Sequence, residues 1–267
     1  MSFWESIVLG IIQGLTEFLP VSSSGHIELG KAIFGIDETE AGLLFTVTLH
    51  FATALSTIIV FRKDILELIK GILKVEWNYE TKFTSFILLS MIPAVLVGLF
   101  FKDQIDGFFS GNILLVSLML ILTGVLLFLS DRLGRRDGIM NAKNAVLLGI
   151  IQAIAILPGI SRSGSTIALA VLLGINRERA ARFSFLMVLP LIFGAMAKEI
   201  LDYSSLETSS LDSTVDFPII FGFIAALFSG IFACRWMIAI VKKSKLIYFA
   251  IYCWIIGTIG LIYQFVK

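Results

Sequence analysis

The sequence predicts an all-α polytopic membrane protein, with six transmembrane helices and two re-entrant helical hairpins arranged as an inverted-topology repeat. Three observations lead there: a composition that water cannot solvate, a series of apolar stretches of bilayer length, and two apolar segments each interrupted by proline and a serine-rich run. Of the 267 residues, 57% are hydrophobic and only 15% charged, against about half and about a quarter in water-soluble domains. Mean hydropathy is +0.94. A water-soluble globule of this length has no interior able to hide so much apolar surface, so lipid is the solvent. The net charge of +1 offers no surface to nucleic acid. Cys234 and Cys253 lie in apolar runs at no metal-ligand spacing and read as unpaired thiols within helices. The start, Met1-Ser2-Phe3-Trp4-Glu5, has neither a basic region nor a small-residue cleavage site and reads as mature structure rather than a signal peptide.

A spanning helix needs about 20 apolar residues. Residues 45–61, 83–101, 112–130, 183–201, 217–241 and 246–266 qualify. Two further apolar segments do not run through. Segment 6–34 is cut by Pro20 and by Ser22-Ser23-Ser24-Gly25-His26, and segment 145–173 by Pro158-Gly159 and Ser161-Arg162-Ser163-Gly164-Ser165-Thr166. Proline removes a backbone donor and stops the helix, which leaves each half too short to span alone. Each segment is therefore expected to enter the membrane and turn back.

The broken segments repeat one another without gaps. Leu9-Gly10-Ile11-Ile12-Gln13 recurs as Leu148-Gly149-Ile150-Ile151-Gln152, and in the same register Ser22 matches Ser161, Ser24 matches Ser163, Gly25 matches Gly164, and Gly35-Ile36 matches Gly174-Ile175. This predicts a single membrane domain, residues 1–267, made of two repeats at about 1–130 and 131–267. Lys and Arg mark cytoplasmic loops. They gather after residue 61 (Arg62, Lys63, Lys70, Lys74, Lys82), after residue 130 (Arg132, Arg135, Arg136, Lys143), at Arg177, Arg179 and Arg182, and at Lys242, Lys243 and Lys245, whereas the connection 202–216 has acidic residues and no basic ones. Six spans satisfy this pattern with both termini outside. The first hairpin then enters from outside and the second from the cytoplasm, which is the inverted repeat.

Irregular backbone at membrane depth is tolerated only where it is buried in protein or lines a wet cavity. Half-helices starting near Ser22–Ser23 and Ser161–Arg162 would aim free N–H groups and dipoles at one point, an anion-binding arrangement, with the serines as caps. Arg162 offers a planar fork suited to phosphate, and an arginine at the bilayer centre costs at least ~3 kcal/mol unless paired. Gln13 and Glu17 share one helix face. With Ser22, Ser23, Ser24 and His26 they gather a carboxylate, an imidazole and hydroxyls, a set suited to phosphoryl transfer: a serine attacks phosphorus, Glu17 or His26 moves the proton, and Arg162 with the backbone amides holds the equatorial oxygens. The acidic position also suits a divalent cation bridging phosphates. Plainer readings stand beside these. Serines in membrane helices make packing hydrogen bonds, Gln13 suits helix–helix contact, Glu17 with Arg162 suits a structural ion pair, and His26 suits a satisfied hydrogen-bonding residue. His50, with no polar partner near it in sequence, reads as structural, and Glu28 with Lys31 as a surface pair.

The run Gln13-Gly14-Leu15-Thr16-Glu17-Phe18-Leu19-Pro20-Val21-Ser22-Ser23-Ser24-Gly25-His26 closely resembles the first signature of the bacterial undecaprenyl-diphosphate phosphatase family, also called bacitracin-resistance proteins. Pro158-Gly159-Ile160-Ser161-Arg162-Ser163-Gly164-Ser165-Thr166 resembles the second. The resemblance covers essentially the whole chain. It implies hydrolysis of undecaprenyl diphosphate to the monophosphate carrier and inorganic phosphate, recycling of that carrier for peptidoglycan synthesis, and dependence on a divalent cation, Mg or Ca. It also implies a bacterial cytoplasmic membrane location with the cavity facing outward. By motif, the second acidic position of the family's (Glu/Gln)-x-x-x-Glu pattern is Glu17 and the first is Gln13, where many members have Glu; the resemblance gives Glu17 the essential acid/base or metal role, with Gln13 beside it. Ser23 matches the serine favoured as nucleophile and His26 the motif histidine, and which of them carries the phosphate stays open. Arg162 matches the phosphate-binding arginine, with Ser161, Ser163 and Thr166 around it and Ser22, Ser24 and Gly25 on the facing segment. Oligomeric state is open, a homodimer included. The competing expectation is a transporter or flippase of an anionic lipid phosphate, since broken helices meeting at mid-membrane are common in transporters. A non-catalytic scaffold would leave Arg162 and Glu17 without a purpose.

Overall fold

The computed structural model describes residues 2–35, 40–108, 112–134, 138–205, 217–243 and 246–266. These form twelve α-helices and no strand: α1 (Phe3–Phe18), α2 (Ser23–Phe34), α3 (Glu40–Val60), α4 (Arg62–Ile72), α5 (Tyr79–Phe100), α6 (Lys102–Phe108), α7 (Ile113–Leu133), α8 (Ala142–Ile154), α9 (Arg162–Leu172), α10 (Arg177–Ser205), α11 (Phe217–Lys243) and α12 (Ile247–Val266). Five of them are long and apolar enough to cross a membrane, in α5, α7, α10, α11 and α12. A sixth candidate is α3 taken together with α4, the two being bent by 74° at Phe61. This is a multi-pass membrane protein. The sequence ends a span at residue 61, where the bend falls, but predicts a basic loop where α4 forms and no helix where α6 stands. Arg62, Lys63, Asp64, Glu67 and Lys70 give α4 a charged side, so it cannot continue into hydrocarbon and turns away instead. Arg135, Arg136 and Lys245, and the connection from 206 to 216, lie outside the described residues.

The two interrupted segments break where the sequence predicts. Helix α1 starts at a capping box in which Glu5 N–H donates to Ser2 Oγ and Ser2 N–H to Glu5 Oε2, and it stops ahead of Pro20. Helix α8 starts at the Asn141 cap and stops ahead of Pro158. At 16, 12, 13 and 11 residues, α1, α2, α8 and α9 are each about 16–24 Å long, short of a ~30 Å hydrocarbon core. Cys234 and Cys253 are buried free thiols, as expected. The Glu28–Lys31 pair is present at 3.2 Å, but Glu28 is buried at 6% exposure and Lys31 is partly buried at 13%, rather than both lying on the surface.

Helix α1 packs on α11, α8 on α5, α7 on α12, and α3 on both α11 and α10. The repeated glycine of the two short helices makes the first two packings possible. A Cβ on Gly10 would stand 2.3 Å from the Gly222 carbonyl oxygen, and one on Gly149 would stand 2.4 Å from that of Ser90. Directly beside the breaks, the core is aromatic. Phe18 meets Phe185 edge-on at 5.7 Å, Phe61 meets Phe185 at 6.0 Å, and Phe83 meets Phe183 at 5.5 Å. These buried rings fix the end of α1 against α10, and with it the residues that neighbour Phe18, Phe183 and Phe185 in sequence.

Because the obstructing atoms are backbone, Gly10→Ala and Gly149→Ala are each expected to destabilise the fold by about 1–3 kcal/mol. Gly98→Ala, with nothing within 4 Å of the added atom, serves as the control and should melt like the parent. Thermal melts followed by circular dichroism in detergent read the difference, and equal melting of all three variants would refute the close-packing account.

Candidate active site

Each break restarts its helix on a serine cap. Ser22 Oγ accepts from Gly25 N–H at 3.2 Å at the head of α2, and Ser161 Oγ accepts from Gly164 N–H at 3.0 Å at the head of α9. The caps take one orphan donor each. Among the described residues, the N–H groups of Ser23, Ser24, Arg162 and Ser163 have no protein acceptor, as expected of a first helical turn. Ser22 sits at φ 71°, a left-handed conformation that a non-glycine residue holds only when its surroundings enforce it. Here its hydroxyl caps α2 and its carbonyl accepts from His26 Nδ1–H at 2.7 Å.

The two breaks face each other reciprocally. A Cβ on Gly25 would lie 3.1 Å from Gly159 Cα, and one on Gly164 would lie 3.0 Å from the Pro20 carbonyl oxygen. Ser163 Oγ donates across to the Leu19 carbonyl at 3.3 Å. From α7, Thr123 Oγ1 accepts from Ser161 N–H at 3.0 Å and donates to the Gly159 carbonyl at 3.3 Å, so the second turn is held from outside.

This approach brings Arg162 to Glu17. Arg162 Nη2 pairs with Glu17 Oε1, and Nη1 donates to the Ser184 carbonyl at 3.3 Å. The other carboxylate oxygen, Oε2, accepts from Ser23 Oγ at 2.6 Å and from Gln13 Nε2 at 3.1 Å. Gln13 Nε2 is also 3.1 Å from His50 Nδ1, which lies 3.7 Å from Glu17 Oε2. A cavity of about 220 Å³ opens on these groups, with Thr16, Glu17, Ser23, Ser24, His50, Ser161, Arg162 and Ser163 on its polar side and Ala155, Ile156, Ile160, Val188 and Ile192 on its apolar side.

Of the residues singled out from the sequence, Glu17, Ser23, Ser24, Ser161, Arg162 and Ser163 line the cavity together. Gln13, Ser22, Gly25 and Thr166 stand behind it: Gln13 as a buried support for Glu17, Ser22 as a cap, Gly25 as the point of close approach. Thr166 Oγ1 is 2.8 Å from the Arg162 carbonyl and 2.6 Å from Ser184 Oγ. His26 is not brought to the carboxylate. Its Nδ1–H is spent on the Ser22 carbonyl, its Nε2 meets Tyr252 OH at 2.9 Å, and its ring stacks on Tyr252 within 7° of parallel. It is absent from the cavity lining. His50, read from the sequence as structural and without a polar partner near it in sequence, lines the cavity and bonds to Gln13, which lies far from it along the chain. An ionisable residue inside an apolar membrane helix was the available signal for it. Ser184 and Thr123, the two supports from α10 and α7, carry no sequence signal beyond being small polar residues in apolar runs.

The donor set is poor in metal ligands. Among the described residues no three His, Cys, Asp or Glu side chains cluster, and both oxygens of Glu17 are already engaged by Arg162, Ser23 and Gln13. What the arrangement offers is a hydroxyl hydrogen-bonded to a carboxylate, an arginine on that carboxylate's other oxygen, and two helix starts with free amides, next to an apolar wall. Comparison with known proteins agrees with the two signatures. The family described as "Bacitracin resistance protein BacA" matches residues 6–259. The undecaprenyl-diphosphatase of Christiangramia forsetii is 54% identical over the full length of both chains. That of Bacteroides fragilis is 48% identical over 98% of each, and that of Methanobrevibacter smithii 35% identical over 97% of this chain and 96% of its own. The chain belongs to the bacitracin resistance protein BacA family.

Proposed function

We propose that this chain is an integral membrane phosphatase that hydrolyses undecaprenyl diphosphate to undecaprenyl phosphate and inorganic phosphate, returning the lipid carrier to peptidoglycan synthesis and conferring bacitracin resistance. One observation carries the mechanism: Ser23 Oγ lies 2.6 Å from a Glu17 oxygen whose partner oxygen is held by Arg162. Ser23 O–H donates to Glu17, which is thereby oriented to take the proton as Ser23 Oγ attacks the terminal phosphorus. The bond from that phosphorus to the bridging oxygen breaks, undecaprenyl phosphate leaves, and water then releases inorganic phosphate from the serine. Arg162 and the free amides at the heads of α2 and α9 stabilise the equatorial oxygens. His26 has neither the position nor a free nitrogen for the nucleophile's role; it supports the Ser22 turn. The cavity is large enough for the phosphates, while the apolar wall of Ile156, Val188 and Ile192 suits the first part of the prenyl chain, whose remainder stays in lipid. The transporter reading accounts for converging helix starts but gives the Ser23–Glu17 hydrogen bond no task.

The finer architecture is part of the same proposal: two repeats, about 1–130 and 131–267, set in opposite senses with the α1–α2 and α8–α9 segments re-entering from opposite faces. The reciprocal contacts support it, since Gly25 meets Gly159 while their register partners, Gly164 and Pro20, also meet, as a two-fold relation requires. We place the protein in the bacterial cytoplasmic membrane with the cavity open outward. The divalent cation, Mg or Ca, is proposed to arrive on the diphosphate as its counter-ion, because both oxygens of Glu17 already have protein partners.

Purified protein in detergent is expected to release phosphate from a polyprenyl diphosphate. Ser23→Ala should lower kcat by roughly 10²–10⁴-fold or more, and Arg162→Lys, which loses the planar fork, by about a hundredfold. Wild-type rates in both variants would sink the mechanism. In a separate titration, a chelator is expected to raise KM for the lipid substrate while leaving the protein's melting temperature unmoved. A large fall in melting temperature on chelation would instead reveal a resident metal site.

A further inference from the structure

Behind the serine and the arginine, α3 contributes a group that neither signature contains. Gln13 Nε2 is 3.1 Å from both Glu17 Oε2 and His50 Nδ1. The amide nitrogen carries two hydrogens, and a carboxylate oxygen can only accept. One hydrogen therefore goes to Glu17, and the other is directed at His50 Nδ1, which must be the unprotonated ring nitrogen. A neutral imidazole held this way carries its hydrogen on Nε2. No described residue bonds that nitrogen, and His50 lines the cavity together with Ser161, Arg162 and Ser163.

We propose that His50 is a substrate-contacting residue that donates its Nε2–H to a phosphate oxygen of the bound diphosphate, and that Gln13 fixes the tautomer that makes this possible. The inference deepens the phosphatase reading and rests on it. Gln13 and His50 then form a matched pair. A glutamate at position 13 can only accept, so it would face Glu17 across about the same gap and draw the hydrogen of His50 onto Nδ1. Nε2 would then present a lone pair to an anion. The amide at position 13 thus supports a phosphate donor at position 50 as well as the carboxylate of Glu17.

The test uses the full-length protein in detergent, with inorganic phosphate as competitive inhibitor and a polyprenyl diphosphate as substrate. His50→Phe keeps a ring and loses the donor. It is expected to raise the Ki of phosphate and the KM of the diphosphate by about ten- to a hundredfold, the range of one hydrogen bond to a charged group. His50→Gln restores an amide donor and should recover most of that loss. Gln13→Glu should raise the Ki of phosphate as well. The proposal is overturned if His50→Phe keeps the wild-type Ki and KM, if His50→Gln binds phosphate no better than His50→Phe, or if Gln13→Glu binds phosphate as tightly as the parent. A wild-type protein that releases no phosphate overturns the phosphatase reading and this proposal together, whereas an active wild type matched by an equally active Phe variant removes the role of His50 alone.

Discussion

The ion pair between Arg162 and Glu17 is the constraint around which the described structure is organised. Each charge alone inside an apolar layer would cost several kcal/mol, and a buried pair offsets that cost only with good geometry and further hydrogen bonds. Those further bonds are present. Glu17 accepts from Ser23 and Gln13 on its second oxygen, and Arg162 donates to the Ser184 carbonyl. To deliver the pair, α1 and α8 must stop, and α2 and α9 must restart, where the two segments meet. The free ends this creates are met by serine caps, by Thr123 from α7, and by contacts so close that only glycine fits. The broken helices and the polar cavity are therefore two aspects of a single solution.

Much of this was legible in the sequence because it is local. Proline stops a helix and serine starts one whatever else the chain does, so both breaks and both caps could be read residue by residue. Bilayer-length apolar runs gave five spans directly, and an arginine among serines in such a run announced its need for an anion. The parts that were not legible depend on partners distant in sequence. His26 stands in the first signature beside Ser23, yet its direction is decided by Tyr252, which stacks on it from α12. His50 carries no motif at all, and its place beside the site comes from α3 packing on α1 so that the ring reaches Gln13. The burial of Glu28 and Lys31 likewise depends on surrounding helices rather than on their own spacing.

Support for the site also comes from the faces that hold it. Ser184 lies between Phe183 and Phe185, whose rings are locked against Phe83, Phe18 and Phe61. The carbonyl that Arg162 uses is thus fixed by aromatic packing rather than by another polar group. Thr166 extends the same link by sharing a hydrogen bond with the Ser184 hydroxyl. A guanidinium positioned this way loses little further freedom on meeting a ligand, which is how a rigid scaffold serves an electrostatic site.

The matching registers of the two broken segments also hide an asymmetry. Where the first has Glu17 the second has Ile156, and where the second has Arg162 the first has Ser23. Opposite charges have been allotted to opposite partners. Two copies of the former would confront acid with acid, and two copies of the latter would confront base with base, each stranded in oil without a counter-charge. Neither could dispense with the other, so physical continuity between them in one polypeptide safeguards the stoichiometry on which neutrality depends.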